Sequence, residues 1–287
     1  MKTLRIGGVP EHFNEPWNIA SERGLFHPLE RDVVWSEFPG GTGAMLTALH
    51  EGKIDIAILL TEGAVADFAR KRATTALGTW VETPLRWGIH TRPSAGIETR
   101  SQVAGRRIAI SRPTSGSHLM ALLLLDSMDA STRDVDFVEV GGIDGAVEAF
   151  ENGEADVFLW ERTMTKPLVD DGTFGYIGDF SAPWPAFTFV CLKEHETPLR
   201  AIYGELIKIM KPLCDELSHE PEETAALLAE RHQIQFADVL EWLKSTTWSV
   251  DRQVDREAVQ AAAEALLKAG AIEGIPDFRA FADGVES

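Results

Sequence analysis

The chain is expected to fold as a two-lobed α/β protein, and three observations point there. Strand-like runs alternate with helix-like ones, that alternation occurs twice in the same order, and 287 residues are enough for about two cores. The first set is LRIGGV, a helix over Pro16 to Arg23, VVWSEF, a helix over Gly43 to Glu51, and DIAILL. The second is RRIAIS, a helix over Ser117 to Asp126, VDFVEV, a helix over Ile143 to Asn152, and ADVFLW. Repeated β-α-β order implies mainly parallel sheets flanked by helices, with ligand sites beyond the carboxyl ends of the strands.

The internal match is sharpest where LTALHEGKIDIAILL aligns with VEAFENGEADVFLW. Each is an amphipathic helix ended by a glycine (Gly52, Gly153), followed by a strand opened by an aspartate (Asp55, Asp156) that is expected at the surface. After Trp184 comes one more strand, AFTFVCL, and then helices over residues 198–217, 221–231, 236–245 and 252–268. The chain is therefore expected to build lobe 1 from residues 1–91 and 185–287 and lobe 2 from residues 92–184. Two crossings between lobes make a hinge.

Composition narrows the partners. Hydrophobic residues make up 44% and charged ones 25%, ordinary for a packed globular protein. The formal charge of −18 repels phosphate backbones and anionic headgroups, so no nucleic-acid partner is expected. No membrane insertion is expected either, because the longest apolar run, ALLLLDSM, is broken by Asp126. The start, MKTLRIGGVPEHF, has no apolar h-region or cleavage site. A cytoplasmic location is expected for the chain as it stands, and a periplasmic one if a leader precedes it in the natural protein. Cys191 and Cys214 sit in apolar or helical surroundings, without a C-x-x-C pair, and are expected to be buried, inert thiols.

Candidate ligand contacts come from the loops after the strands. Following the first strand, Pro10 to Trp17 is dense in polar and aromatic groups, among them Glu11, His12 and Phe13. It reads either as a ligand platform or as a helix start with Asn14 as cap, Pro16 in the first turn and Trp17 in the core. After the second strand, Gly41 and Thr42 open a helix whose free N–H groups attract anions. The spacing of a P-loop or of G-x-G-x-x-G is absent, which disfavours nucleotides. In lobe 2, Arg112, Thr114, Ser115, Gly116, Ser117 and His118 bring three hydroxyls, a guanidinium and a helix N-terminus together, a receptor for carboxylate, sulfonate or phosphate. The alternative is a Ser-rich capping turn with a solvated arginine. Thr61 and Glu62 of lobe 1 are expected to face Trp160 and Glu161 of lobe 2 across a cleft, with each glutamate either a hydrogen-bond acceptor or a partner for the following helix. Trp184 is placed to stack on a planar ligand or to stiffen the crossing. His50, His90, His195, His219 and His232 are expected at surfaces or helix ends.

Taken together, the lobe order, the paired helix-Gly-x-x-Asp-strand units and the loops EHFNEPW, PGGTGAM and SRPTSGSHLMA resemble the type II periplasmic-binding-protein superfamily. The chain is most similar to its thiamine-pyrimidine-synthase and sulfonate-binding branch, and within that to a leaderless subgroup exemplified by a Candida protein. The resemblance implies ligand capture by hinge closure without fixing the ligand; a noncatalytic binding protein for a small acid, sulfonate or pyrimidine-like molecule is the first expectation. A transporter permease is a further partner of the fold that nothing in the sequence itself supports. It does not imply the iron-associated chemistry of the synthases, whose Cys-rich motif is missing here. The alternative is a cytosolic enzyme of the same fold, with His12 or His118 as general base and Glu11 orienting it. No cofactor and no metal are expected.

Overall fold

The computed structural model describes residues 3–71, 73–249 and 254–282. Two five-stranded sheets share one topology. The first contains β1 (Thr3–Gly8), β2 (Asp32–Glu37), β3 (Ile56–Leu60), β4 (Thr74–Val81) and β10 (Phe187–Leu192), in the order β2-β1-β3-β10-β4. The second contains β5 (Trp87–Thr91), β6 (Arg107–Ile110), β7 (Asp136–Glu139), β8 (Val157–Glu161) and β9 (Gly175–Phe180), in the order β7-β6-β8-β5-β9. In each sheet one strand, β10 or β5, runs antiparallel to its two neighbours, and the remaining strands are mutually parallel. That strand is the one that has just crossed from the other lobe.

Helices α1 (Glu15–Glu22), α2 (Gly41–His50) and α3 (Thr61–Lys71) flank the first sheet. The corresponding α4 (Gly116–Ser127), α5 (Ile143–Glu151) and α6 (Arg162–Asp170) flank the second. The carboxyl-terminal part is α7 (Glu196–His219), α8 (Pro221–His232), α9 (Phe236–Ser245), α10 (Arg256–Lys268) and α11 (Arg279–Ala282). Arg252 and Gln253, expected to open α10, lie outside the described residues. α10 packs on α3 of the first lobe and also on α4 of the second. Among the described residues no helix is long and apolar enough to cross a membrane.

Strand pairing moves the first crossing. Trp87 to Thr91 hydrogen-bonds to β8 and β9, so the chain changes sheets between Val81 and Trp87 rather than after Thr91. The segment is buried throughout, and a short strand buried on both faces has no periodicity that assigns it to either sheet. Its centre holds His90, which is wholly buried rather than superficial. The ring lies 3.2 Å from Phe158 O and 2.8 Å from Thr165 Oγ1, and burial pushes its pKa down to about 4.

The repeat seen in sequence has a physical purpose. In lobe 1, Arg5 on β1 grips Asp55 through Nε (3.0 Å) and Nη2 (2.7 Å), while Nη1 donates to Gly52 O at 2.5 Å. In lobe 2, Arg107 on β6 grips Asp156 (3.0 and 2.8 Å) and Gly153 O (2.5 Å) in the same way. The two aspartates are thus not solvated strand starts. Each holds a helix C-terminus and two adjacent strands together through one planar guanidinium, the geometry suited to bidentate pairing.

The first strand loop is anchored in the core. Trp17 is fully buried and stacks on Trp35, with centroids 5.4 Å apart and planes 9° from parallel. Asn14 makes no capping hydrogen bond. Its Nδ2 donates to Val9 O (2.9 Å) and its Oδ1 accepts from Trp80 Nε1 (3.0 Å), so it ties the loop to β4 instead. Pro16 does sit in the first turn of α1. Cys191 and Cys214 are free and buried, and burial pushes both thiols up, Cys191 to about 12.

Candidate functional site

The loops at the strand carboxyl ends of both sheets meet around a small cavity of about 50 Å³. From lobe 1 it is lined by Glu11 after β1, by Gly40, Gly41 and Thr42 at the start of α2, by Leu60 ending β3 and by Phe187 starting β10. From lobe 2 come Ser111, Ser115, Gly116 and Ser117 around the start of α4, and Trp160 and Glu161 at the end of β8, with Trp87 from β5.

The lobe 2 side is built by a knot of serines. Ser115 caps α4, its Oγ accepting from the His118 N–H at 3.3 Å. Ser117 Oγ accepts from the Ser111 N–H (2.9 Å) and lies 3.1 Å from both Ser111 Oγ and Ser115 Oγ. These contacts hold three hydroxyls at the N-terminus of α4, where the helix dipole favours negative charge. Gly116 keeps the lobes close: a Cβ there would overlap Leu60 Cδ1 of lobe 1 and lie 3.1 Å from Trp87 Cη2.

On the lobe 1 side, Gly41 adopts φ +65°, a conformation that glycine reaches without strain and that turns the chain into α2. No side chain caps this helix. Thr42 is only 3% exposed, yet its hydroxyl has no hydrogen-bond partner among the described residues. Arg112 spans the cleft from the end of β6 and lies against this helix start. A Cβ on Gly43 would be 2.6 Å from Arg112 Nε and 3.1 Å from Nη2, and one on Gly40 would be 3.4 Å from Nη1. The Nη2 atom is buried without a partner among the described residues. Burial pulls the guanidinium's pKa down, against the attraction of Glu139.

Carboxyls occupy the remaining wall. Burial, then repulsion from Glu161, push Glu11 up to about 8, partly offset by a hydrogen bond from Trp160. Burial pushes Glu161 up to about 7 although it accepts from the Met164 N–H at 2.8 Å as cap of α6. His12 Nε2 lies 3.9 Å from Glu161 Oε2. The imidazole is completely buried, edge-on to Trp242 with centroids 4.1 Å apart, and burial followed by the neighbouring His232 keeps it neutral.

A model of the ABC-transporter, phosphonate, periplasmic substrate-binding protein family matches residues 29–282. The chain belongs to that family. Comparison with curated proteins finds no matching sequence. Among solved structures, the Candida albicans CA3427 gene product, described as having the generic periplasmic-binding-protein fold, superposes with TM-score 0.89. It is 22% identical over 96% of this chain and 93% of its own. The alkanesulfonate-binding protein SsuA from Xanthomonas axonopodis pv. citri, bound to MOPS, gives TM-score 0.78 at 19% identity, over 100% of this chain and 98% of its own. The nitrate-binding protein NrtA from Synechocystis gives 0.71 at 15% identity, over 99% and 86%. At these identities the likeness is one of fold, and it agrees with the superfamily resemblance read from the loops.

In this family member the expected contacts divide. Glu11, Gly41, Thr42, Ser115, Gly116, Ser117, Trp160 and Glu161 line the cavity, and Arg112 closes against its glycine-rich edge. Thr61 and Glu62 do not line it. The Thr61 hydroxyl is 2.9 Å from that of Thr188, and Glu62 accepts from Trp184 Nε1 at 2.9 Å, so Trp184 stiffens the crossing instead of facing the cavity. Phe13 packs on Phe187 (4.4 Å between centroids) and faces a neighbouring hollow between α6 and α9 that shares Leu85 and Glu161 with the cavity. Thr114 is exposed with φ +64°, and its N–H donates to His118 Nδ1 at 2.9 Å, holding that ring against Phe137 and outside the cavity.

Val9, Gly40, Leu60, Leu85, Trp87, Ser111 and Phe187 are cavity residues that sequence reasoning did not select. Ser111 and Gly40 sat within the loops already singled out. Phe187 sat in the aromatic run Pro183 to Phe187 beside the crossing, of which Trp184 was selected, whereas Trp87 carried no local signal because it opens a strand that swaps sheets.

Proposed function

We propose that this protein captures a small organic anion, a phosphonate, sulfonate or carboxylate, between its lobes. The observation that carries the reading is Arg112, whose buried, unpartnered Nη2 lies against the uncapped N-terminus of α2. Two positive features pressed together in a closed interface are unfavourable until an anion sits between them. The buried, unpartnered Thr42 hydroxyl and the three serines at the start of α4 supply further donors around the same space. Trp87, Trp160 and Phe187 suit the carbon body of such a ligand. The family description and the sulfonate- and nitrate-binding neighbours support the same class. In that role, the closed, loaded form is the one presented to a transport permease. No observation favours the enzymatic alternative, since neither His12 nor His118 lines the cavity.

The test is calorimetric titration with ethylphosphonate, ethanesulfonate and propionate, on the wild type and on Arg112→Ala. At least one anion should bind. The variant should lose about 1.5–3 kcal/mol, the range of a hydrogen bond to a charged group. Equal affinity in the two proteins would overturn the assignment of Arg112 as the anion anchor.

A further inference from the structure

Two acidic side chains from opposite lobes, Glu11 and Glu161, line the interlobe cavity that also holds the orphan Thr42 hydroxyl. Among the described residues, neither carboxyl has a Lys or Arg in ion-pair contact. The groups around them are few. Trp160 and the backbone N–H groups of Thr163 and Met164 donate to them. The nearby cation, Arg162, directs its Nη1 to Glu241 (3.5 Å) and Asp179 (3.8 Å). His12, 3.9 Å from Glu161, is buried between Trp242 and His232 and carries no charge to offset it. The starts of α2 and α4 are thus the positive features that line the cavity, with Arg112 packed at its glycine-rich edge and Arg162 acting on Glu161 from outside it.

We propose that Glu11 and Glu161 form a proton-holding subsite, so that the cleft closes on its anion together with a proton and prefers monoanions to dianions. This rests on the capture reading above. With both carboxyls ionised, closing on an anion would bring three negative charges together beside one guanidinium, with little solvent left between them once the lobes close. One proton shared by the pair removes a negative charge and turns a carboxylate into a donor. The raised affinity of both groups for protons, Glu11 to about 8 and Glu161 to about 7, agrees with that arrangement. A dianion restores the excess charge that the proton removed.

The experiment uses ethanesulfonate, which stays monoanionic throughout the range, titrated calorimetrically from about pH 6 to about pH 9.5. At about pH 8 the titration is repeated in Tris and in triethanolamine, cationic buffers whose different ionisation enthalpies report protons taken up. The expected result is uptake of about half a proton at pH 8, rising toward one by about pH 9.5, with affinity level at low pH and falling toward about tenfold per pH unit well above pH 8. Glu11→Gln mimics the protonated carboxyl; it should abolish the uptake, flatten the profile and bind more tightly than wild type at pH 9.5. Glu161→Gln should do the same and guards against one variant folding poorly. Ethylphosphonate should weaken more steeply as it becomes a dianion. Ethanesulfonate binding with no proton exchange and no pH dependence, or a Glu11→Gln profile matching wild type, overturns this inference and leaves anion capture standing. No binding by any of the anions at any pH sinks both.

Discussion

Replacing Gly43 with alanine should move stability and affinity in opposite directions. Gly43 lies inside α2 at a φ that any residue can adopt, so alanine should stabilise the ligand-free protein by about 0.5–1 kcal/mol through helix propensity. The new methyl would sit 2.6 Å from Arg112 Nε, 3.1 Å from Nη2 and 3.3 Å from Cζ. Ordinary contact begins near 3.4 Å, so the guanidinium must retreat by most of an ångström from the helix start. Hydrogen bonds weaken steeply with such displacement, and losing most of one charged hydrogen bond costs about 1.5–3 kcal/mol, roughly 10–150-fold in affinity. Because Arg112 and Gly43 belong to different lobes, that cost falls on the closed state alone. Urea denaturation of the ligand-free protein and calorimetric titration with the best-binding anion read the two effects separately. A variant that is more stable and binds as tightly as wild type would refute the placement of Arg112 over α2 in the loaded form. A variant that is less stable would refute the helix argument.

Two further outcomes bear on the frame. Burial pushes Glu62 up to about 7 from its ordinary 4.5, so the folded state holds its proton longer than the unfolded state does. Stability should therefore fall as pH rises from about 5 to about 7.5, by about 3 kcal/mol from this group. Glu62→Gln should remove that part of the slope and be the more stable protein near pH 8; denaturation curves with equal slopes would contradict it. Asp156 has the opposite sign. Burial opposes its ionisation, but Arg107 and Arg92 hold it down to about 2, so its stabilisation is present above about pH 4 and lost as pH falls through about 2. Asp156→Asn should cost about 1–3 kcal/mol at neutral pH, and Asp55→Asn less, because Asp55 pairs with Arg5 alone where Asp156 serves two arginines.

The legible parts of the site were those held by local rules. The start of α4 was recognisable because Ser115, Gly116 and Ser117 follow a strand, and capping needs only neighbours in sequence. Gly41 and Thr42 were visible for the same reason, as a glycine-rich strand-to-helix turn. Glu62 and Glu161 looked equivalent in sequence, each following a strand and opening a helix. Only Glu161 reaches the cavity, because Trp184, arriving 122 positions later along the chain, claims Glu62 by its indole N–H. His12 likewise stood in the right loop, yet its ring turned into the core beneath Trp242 of α9, an element nothing local connects to it.

The amino-acid sequence by itself determined the alternation of strands and helices, the repeated unit ending in Gly52 and Gly153, and the helix starts that offer N–H groups to an anion. Each follows from periodicity, capping and turn geometry within a few residues. The tertiary structure alone decided that β5 and β10 swap sheets, that Arg112 reaches across to α2, and that Glu11 and Glu161 share a space. Those depend on hydrogen-bond partners and charges brought together from distant segments, where burial rather than sequence spacing sets the energy of each group.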